Sequence, residues 1–200
     1  MLKSLFLTGL GGQGVLTISK ILGSAASEKG LEVTIFNAKG MAQRGGRVTS
    51  EIRMCDEPER VFGSRIAAGG ADILIGLEIG EALNSIHYIK SGGTVILLDY
   101  TFLSPPTILK KEPYPTASQV AGCFSEKTKS VYLLSEPQHP YNMFVLGFFA
   151  ALLEEDPKLV EGVEPTAIEA SILKNLRREV DKNIEVFHTG MALEKASAAG

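Results

Sequence analysis

Hydrophobic residues at the start of the chain follow two different periods. Residues 2–8 contain the apolar run Leu5-Phe6-Leu7, and we predict a buried β-strand over this segment. Apolar side chains then recur at helical spacing over residues 15–29, and Gly30 follows as a helix stop signal. A second predicted strand at residues 32–37 completes a β-α-β unit. Such a unit predicts parallel strands joined by a right-handed crossover.

The third predicted strand differs from the first two, because apolar and polar residues alternate over residues 47–54. One face of this strand is expected to meet solvent, which does not suit the middle of a parallel sheet. We therefore place the strand at a sheet edge or in a hairpin.

The rest of the chain continues to alternate strands with helices. Further strands are predicted at residues 72–77, 94–99 and 131–134, helices at 80–90, 116–127, 142–153 and from 165 onward, and irregular proline-rich structure at 100–115. This alternation predicts an α/β fold with a doubly wound, Rossmann-like, mostly parallel sheet and C-terminal helices. Because no linker divides the chain, we expect a single domain over residues 1–200, with a C-terminal helical segment at about 165–200.

The predicted helix at residues 142–153 is apolar on nearly all sides. A helix of this kind is buried, either in the core of its own chain or under a partner. Both an ordinary core helix and a subunit interface are consistent with the sequence.

The composition excludes several classes of protein. The chain has 200 residues, of which 44% are hydrophobic, and a formal net charge of −3, so it lacks the basic field of a nucleic-acid-binding protein. Its two cysteines, Cys55 and Cys123, form no C-x-x-C pair, and we expect no iron–sulfur cluster or zinc ion on this chain. No apolar run reaches the roughly 18 residues that span a membrane, and residues 1–7 are too short for the apolar core of a signal peptide. We expect a soluble cytoplasmic protein.

A dense glycine turn lies between the first strand and the first helix. The sequence Gly11-Gly12-Gln13-Gly14 follows the apolar strand, and the helical pattern begins immediately after it. Glycines let backbone N–H groups approach an anion, and the helix directs its partial positive end at the same point. We favour an anion or backbone contact here, with Gln13 adding an amide, over a turn that serves only the fold.

The same turn formally matches the dinucleotide pattern G-x-G-x-x-G, beginning at Gly9. A nicotinamide site also needs an acidic residue at the end of the second strand, where it binds the ribose hydroxyls. Asn37 occupies that place, and Glu32 lies at the opposite end of the strand. Nicotinamide binding is therefore the weaker interpretation.

A second glycine loop follows the second strand and has the sequence Gly40-Met41-Ala42-Gln43-Arg44-Gly45-Gly46. In a doubly wound sheet this loop lies at the same edge as the first one. A guanidinium at Arg44 suits bidentate binding of a phosphate or carboxylate. An arginine that is only solvated in a flexible loop remains the alternative.

Together these motifs resemble a known family. Gly-Gly-Gln-Gly-Val at residues 11–15, Gly-Met-Ala-Gln-Arg-Gly-Gly at 40–46, a strand that ends in Ile52-Arg53, and Asn142-Met143 before an apolar helix resemble the gamma-type domain of 2-oxoacid:ferredoxin oxidoreductases. Within that family the second motif is most similar to the beta subunits of the indolepyruvate type. The resemblance covers nearly the whole chain.

The resemblance implies a role in the oxidative decarboxylation of a 2-oxoacid, with indolepyruvate and other aryl pyruvates as substrates. Such enzymes use thiamine diphosphate, pass electrons through iron–sulfur clusters to ferredoxin, and release an acyl-CoA. The chain has no Gly-Asp-Gly motif for the magnesium of thiamine diphosphate. The resemblance therefore implies a larger alpha subunit that carries thiamine diphosphate, Mg and the iron–sulfur clusters and that contacts ferredoxin.

On this interpretation the chain is an accessory subunit, inactive alone, that completes the active-site or coenzyme A cleft of its partner. It would hold neither a metal nor a catalytic residue. The residues expected to contact the cofactor, coenzyme A or the partner are those of the two glycine loops: Gly11, Gly12, Gln13, Gly14, Gln43, Arg44, Gly45 and Gly46. A stand-alone nicotinamide-binding protein and a non-catalytic scaffold subunit are the alternatives.

Overall fold

A six-stranded mixed β-sheet lies at the centre of the computed structural model, which describes residues 1–40, 45–57, 62–103, 113–128, 130–135 and 137–193. Its strands are β1 (Leu2–Leu10), β2 (Glu32–Lys39), β3 (Arg47–Cys55), β4 (Ala71–Gly76), β5 (Ile89–Leu98) and β6 (Ser130–Leu134). The helices are α1 (Val15–Glu28), α2 (Ile79–Asn84), α3 (Ala117–Ser125), α4 (Tyr141–Glu155), α5 (Pro165–Asn175) and α6 (Val180–Met191). The predicted α/β class is confirmed.

The strands are arranged in the order β2-β3-β1-β4-β5-β6. Strands β1, β4, β5 and β6 run parallel, whereas β3 is antiparallel to both β1 and β2. The predicted hairpin is therefore present, between β2 and β3. The alternative position for β3, at a sheet edge, is wrong, because β3 lies between β2 and β1 and leaves β2 at the edge.

The polar face of β3 does not meet solvent as the alternation predicted. Glu51, on that face, is only 1% exposed. Its carboxylate accepts hydrogen bonds from Arg65 Nε, at 2.9 Å, and from the backbone N–H of Ile66. The segment before β4 thus covers the face and supplies the donors that a buried carboxylate needs.

Helices cover both faces of the sheet, which makes the fold doubly wound. Leu5 and Leu7 of β1 enter an apolar layer with α1, α4, α5 and α6. Phe6, between them, enters the opposite layer with α2 and α3. Because neighbouring side chains on a strand point to opposite faces, an uninterrupted apolar run is what a strand between two helical layers requires.

Helix α2 is shorter than its sequence pattern predicted. It ends at Asn84 rather than near residue 90, and β5 already begins at Ile89. Ile89 pairs with Ala71 of β4, so the chain must turn back at residues 85–88. Tyr88 then stacks on Phe6, with ring centroids 4.0 Å apart.

Helix α4 is a core helix of this chain. Every residue from 143 to 153 is buried, and α6 packs along it. The subunit-interface alternative for this helix is therefore not needed to explain its apolar character. The C-terminal helical region is divided in two, because Leu176 is extended and Glu179 adopts a left-handed conformation with φ of 48°.

Candidate functional site

The first glycine turn joins the carboxyl end of β1 to the start of α1. Gly12 and Gly14 have φ values of 98° and 84°, a region that glycine enters without steric cost. Gly14 is the N-cap of α1, and among the described residues no side chain caps this helix. The first turn of α1 therefore presents the partial positive charge that favours a bound anion.

Gln13 has a different position from its glycine neighbours. Its Oε1 accepts a hydrogen bond from the N–H of Leu10 at 2.7 Å, and its Nε2 donates to the carbonyl of Leu77 at 2.8 Å. Leu77 follows β4, so the amide bridges the carboxyl ends of β1 and β4. In a doubly wound sheet this is the switch point where ligands usually enter, and here a side chain closes it.

The second glycine loop lies against the first, as the shared sheet edge predicted. The carbonyl of Gly46 accepts a hydrogen bond from the N–H of Gly11 at 2.9 Å, and Gly40 N–H donates to the carbonyl of Arg47 at 2.7 Å. Gly45 adopts φ of 70°. Gln43 and Arg44, the other predicted contact residues of this loop, lie outside the described residues.

Between the two loops lies a cleft of about 500 Å³, which we call the glycine cleft. Its polar side is formed by Lys39 and by backbone of the predicted residues Gly11, Gly12, Gly14 and Gly46, with Gly40 beside them, and its apolar floor by Leu10, Val15, Leu16 and Val48. Gln13 and Gly45 do not line it. A cleft of amides, a lysine and a helix N-terminus is suited to an anion with an apolar part.

The geometry argues against a dinucleotide site. Strand β3 separates β1 from β2, so Asn37 is two strand spacings, roughly 10 Å, from β1. Asn37 is also exposed. A dinucleotide unit needs its acidic residue on the strand next to β1, and neither the neighbour nor the residue type is present.

The start of α4 lies against the first glycine turn at Gly14. A Cβ placed on Gly14 would be 2.6 Å from Nδ2 of Asn142, in the first turn of α4. Two helix N-termini therefore meet at Gly14. The only sequence signal for this contact was the Asn-Met pair before an apolar helix.

A buried acidic cluster lies on the other side of the Gly45–Gly46 backbone. Glu78, only 1% exposed, caps α2 and accepts hydrogen bonds from the Glu81 N–H and the Tyr114 hydroxyl, at 2.8 and 2.7 Å. Burial and the neighbouring Glu78 raise the pKa of Tyr114 above its usual range. Burial likewise raises the pKa of Glu81, although Arg47 opposes the shift. Arg47 Nε lies 3.2 Å from Glu81 Oε2, without hydrogen-bond geometry.

Among the described residues, one group of side chains has metal-ligand spacing: Cys55, Asp56 and Glu57. Both carboxylates contact the Met1 ammonium. The group begins at the last residue of β3, at the end of the strand away from the cleft, and takes no part in the cleft. In the described ranges, none of the helices combines the length and apolar character needed to cross a membrane.

Comparison with known proteins agrees with this architecture. The sequence model of the pyruvate ferredoxin/flavodoxin oxidoreductase family matches residues 4–193. The chain belongs to this family. One relative is the indolepyruvate oxidoreductase subunit IorB of Methanothermobacter thermautotrophicus, which is 31% identical over 198 residues. The match covers 94% of this chain and 95% of that protein.

Solved structures show the same fold. The pyruvate oxidoreductase subunit PORC of Thermotoga maritima superposes with a TM-score of 0.64 at 18% identity and 95% coverage of both chains. The 2-oxoglutarate:ferredoxin oxidoreductase of Magnetococcus marinus, solved with 2-oxoglutarate, coenzyme A and succinyl-CoA, superposes with a TM-score of 0.61 at 20% identity. That match covers 98% of this chain and 32% of the other, so the fold also occurs as one part of a longer oxidoreductase chain.

Proposed function

We propose that the chain is the accessory subunit of a 2-oxoacid:ferredoxin oxidoreductase and that it acts as a single domain. Aryl pyruvates, with indolepyruvate as the reference substrate, are the proposed 2-oxoacids. The relative named for indolepyruvate supports this assignment, because the similarity extends over nearly the full length of both chains.

The composition of the chain supports a partner that carries the cofactors. An iron–sulfur cluster of the ordinary type needs four cysteine thiolates, and this chain has two cysteines. A larger subunit would therefore hold the clusters together with thiamine diphosphate and Mg. Thiamine diphosphate supplies the carbanion stabilisation that decarboxylation of a 2-oxoacid requires.

The glycine cleft is the observation on which the proposed role depends. It offers backbone amides, Lys39 and the N-terminus of α1 around an apolar floor. Coenzyme A carries phosphates next to a pantetheine arm whose carbon adjoining the diphosphate linkage bears two methyl groups, and charged and apolar parts side by side match this arrangement of groups. We propose that the cleft receives the phosphates of coenzyme A beside the larger subunit, and that Gln43 and Arg44 also contact the cofactor, coenzyme A or the larger subunit.

Reconstitution tests the accessory role. The larger subunit is purified alone and titrated with this chain, and indolepyruvate-driven, coenzyme A-dependent reduction of a viologen dye is measured. The rate is expected to rise to saturation with added chain, whereas this chain alone gives no reduction. A larger subunit that is fully active alone would contradict the proposal. Phenylpyruvate, pyruvate and 2-oxoglutarate serve as comparison substrates.

A charge reversal tests the proposed use of the cleft. Lys39 is exposed, and Lys39→Glu replaces its attraction for a phosphate by repulsion. The change should weaken coenzyme A binding by about 1 to 2 kcal/mol, which corresponds to roughly a five- to thirty-fold higher KM for coenzyme A. The matched control is Lys158→Glu. Lys158 is also exposed and follows α4, whose 15 residues run roughly 22 Å away from the cleft. Equal KM values for the two variants would show that coenzyme A does not use the cleft.

A further inference from the structure

Glu78 is the one buried carboxylate at the carboxyl edge of the sheet among the described residues, and the proposed function leaves it without a task. It follows Leu77 at the end of β4 and is only 1% exposed. An ionised carboxylate in such a place is stable only when it is fully hydrogen-bonded. The groups that donate hydrogen bonds to Glu78 show which segments of the chain it connects.

The carboxylate ties the segment after β5 to the start of α2. Oε1 accepts from the backbone N–H of Phe102 at 3.3 Å and from the hydroxyl of Tyr114 at 2.7 Å. Next to this contact, the N–H of Ile79 donates to the carbonyl of Tyr100 at 3.0 Å. Two hydrogen bonds therefore fix the backbone at residues 100–102 against the β4–α2 junction.

Phe102 transmits this attachment to the cleft. A Cβ placed on Gly45 would be 2.9 Å from Cε1 of the Phe102 ring, so the ring lies directly against the Gly45 backbone. On the other side, Gly46 accepts the hydrogen bond from Gly11 at 2.9 Å. The Gly45–Gly46 backbone, which reaches the cleft at Gly46 and is called the wall below, is thus held between the Phe102 ring and the first glycine turn.

A second connection runs from Glu78 to the same wall through α2. The Glu78 side chain caps this helix by accepting from the Glu81 N–H. Two side chains of this region contact Arg47. Oε2 of Glu81, in α2, lies 3.2 Å from Arg47 Nε, and Oγ of Ser85, the residue after α2, accepts a hydrogen bond from Arg47 Nη2 at 3.0 Å. Arg47 is the residue directly after Gly46, so both connections end at the same turn.

We infer that Glu78 is a positioning residue for the glycine cleft, acting on the Gly45–Gly46 wall through Phe102 and through Arg47. This inference rests on the proposed function for its effect on turnover. Its structural part is independent, because the Gly11 amide reports directly whether the wall is in place.

The test compares Glu78→Gln with Tyr114→Phe and with Glu51→Gln. Glu78→Gln removes the charge and one of the acceptor oxygens, and Tyr114→Phe removes one donor but keeps the ring that packs over Gly80. Glu51→Gln is the matched control, because Glu51 is also 1% exposed and hydrogen-bonded but lies on the β3 face that Arg65 covers.

Two experiments are done: hydrogen exchange of the Gly11 amide is measured in the full chain, and the coenzyme A kinetics (KM and kcat) are measured in the reconstituted complex. For Glu78→Gln we expect about ten-fold faster Gly11 exchange and about ten-fold higher KM, with kcat within about two-fold of wild type. Tyr114→Phe should move both in the same direction by about three-fold, and it tests the inference alone if Glu78→Gln does not fold. Glu51→Gln should lower the melting temperature without moving either quantity.

Unchanged Gly11 exchange in Tyr114→Phe and in any folded Glu78→Gln would overturn the inference. So would a KM increase of the same size in Glu51→Gln, because Glu78 would then matter only for stability. A wild-type complex without coenzyme A-dependent turnover would instead refute the proposed function, and the exchange measurement would still decide the role of Glu78.

Discussion

Two glycines set how closely the core helices α4 and α6 approach each other. A Cβ placed on Gly147 of α4 would be 1.9 Å from the carbonyl oxygen of Phe187, and a Cβ placed on Gly190 of α6 would be 2.1 Å from that of Phe144. Both obstacles are backbone atoms, which cannot rotate away. Gly147→Ala must therefore push the helices apart.

The size of the effect follows from these distances. An ordinary carbon–oxygen contact is about 3.3 Å, so Gly147→Ala requires a shift of roughly 1.4 Å from the present 1.9 Å. Overpacking of this kind costs about 3 kcal/mol, and alanine returns about 1 kcal/mol through its higher helix propensity. We expect a net loss of about 2 kcal/mol in the free energy of unfolding, or roughly 4 to 8 °C in melting temperature for a chain of this length.

Urea and thermal unfolding, followed by circular dichroism, measure this loss. The control is Gly122→Ala in α3, where the added Cβ meets nothing within 4 Å among the described residues. This variant should be stabilised by about 0.5 to 1 kcal/mol. The double variant Gly147→Ala/Gly190→Ala should lose less unfolding free energy than the sum of the two single losses. A single increase in the distance between α4 and α6 makes room for both methyl groups. A Gly147→Ala chain at least as stable as wild type would refute the close helix contact.

Three further predictions concern single side chains. Gln13→Ala leaves two buried backbone groups without their partner, so urea unfolding should show a loss of about 2 kcal/mol, and no loss would contradict the bridging role of Gln13. Burial raises the pKa of Glu81 in the folded chain above its ordinary value of 4.5. The preference of the folded chain for the protonated carboxyl therefore contributes its full stabilisation below pH 4.5, and this contribution is lost as the pH rises through the folded-state pKa. As the pH rises over this range, the free energy of unfolding of Glu81→Gln should therefore increase relative to that of wild type. Two curves of unfolding free energy against pH that run parallel would contradict this. Because Cys123 is exposed and Cys55 is buried, a thiol reagent should titrate one fast thiol, which Cys123→Ser removes; two fast thiols would be the contrary result.

Local patterns in the sequence predicted the parts of the fold that local interactions determine. The apolar run before Gly11 and the helical spacing after Gly14 located β1, the turn and α1 correctly. The proximity of the two glycine loops was also predictable, because both follow strands that end at one edge of the sheet. The hydrogen bond from Gly11 to Gly46 confirms it.

Long-range pairing was not predictable in the same way. Alternation over β3 shows that its two faces differ, but it does not show which strands flank it, and Glu51 gave no sign that Arg65 would cover it. Helix α2 ends early because β5 must pair with β4, a contact between distant segments. Gly147 and Gly190 were visible as glycines in two helical patterns, yet only the packed structure shows that they face each other.

Within the site, sequence reasoning located the glycine backbone that lines the cleft but assigned one side chain incompletely. Gln13 was expected to offer its amide to a ligand or a neighbouring chain, whereas the structure uses both ends of that amide for backbone hydrogen bonds. Lys39 lines the cleft from the end of β2, Asn142 packs against Gly14 from α4, and Glu78 is the residue that we infer to position the Gly45–Gly46 backbone. These contributions depend on tertiary contacts, which periodicity and spacing do not report.

A structure of the assembled complex with coenzyme A, determined by electron cryomicroscopy, tests the central claim most directly. The distance to be measured is from the coenzyme A phosphates to the amides of residues 11–14 and to Lys39 Nζ. We expect at least one phosphate within about 3 Å of these donors, with the larger subunit closing the cleft. A cleft that faces bulk water, far from coenzyme A and from the larger subunit, would contradict the account.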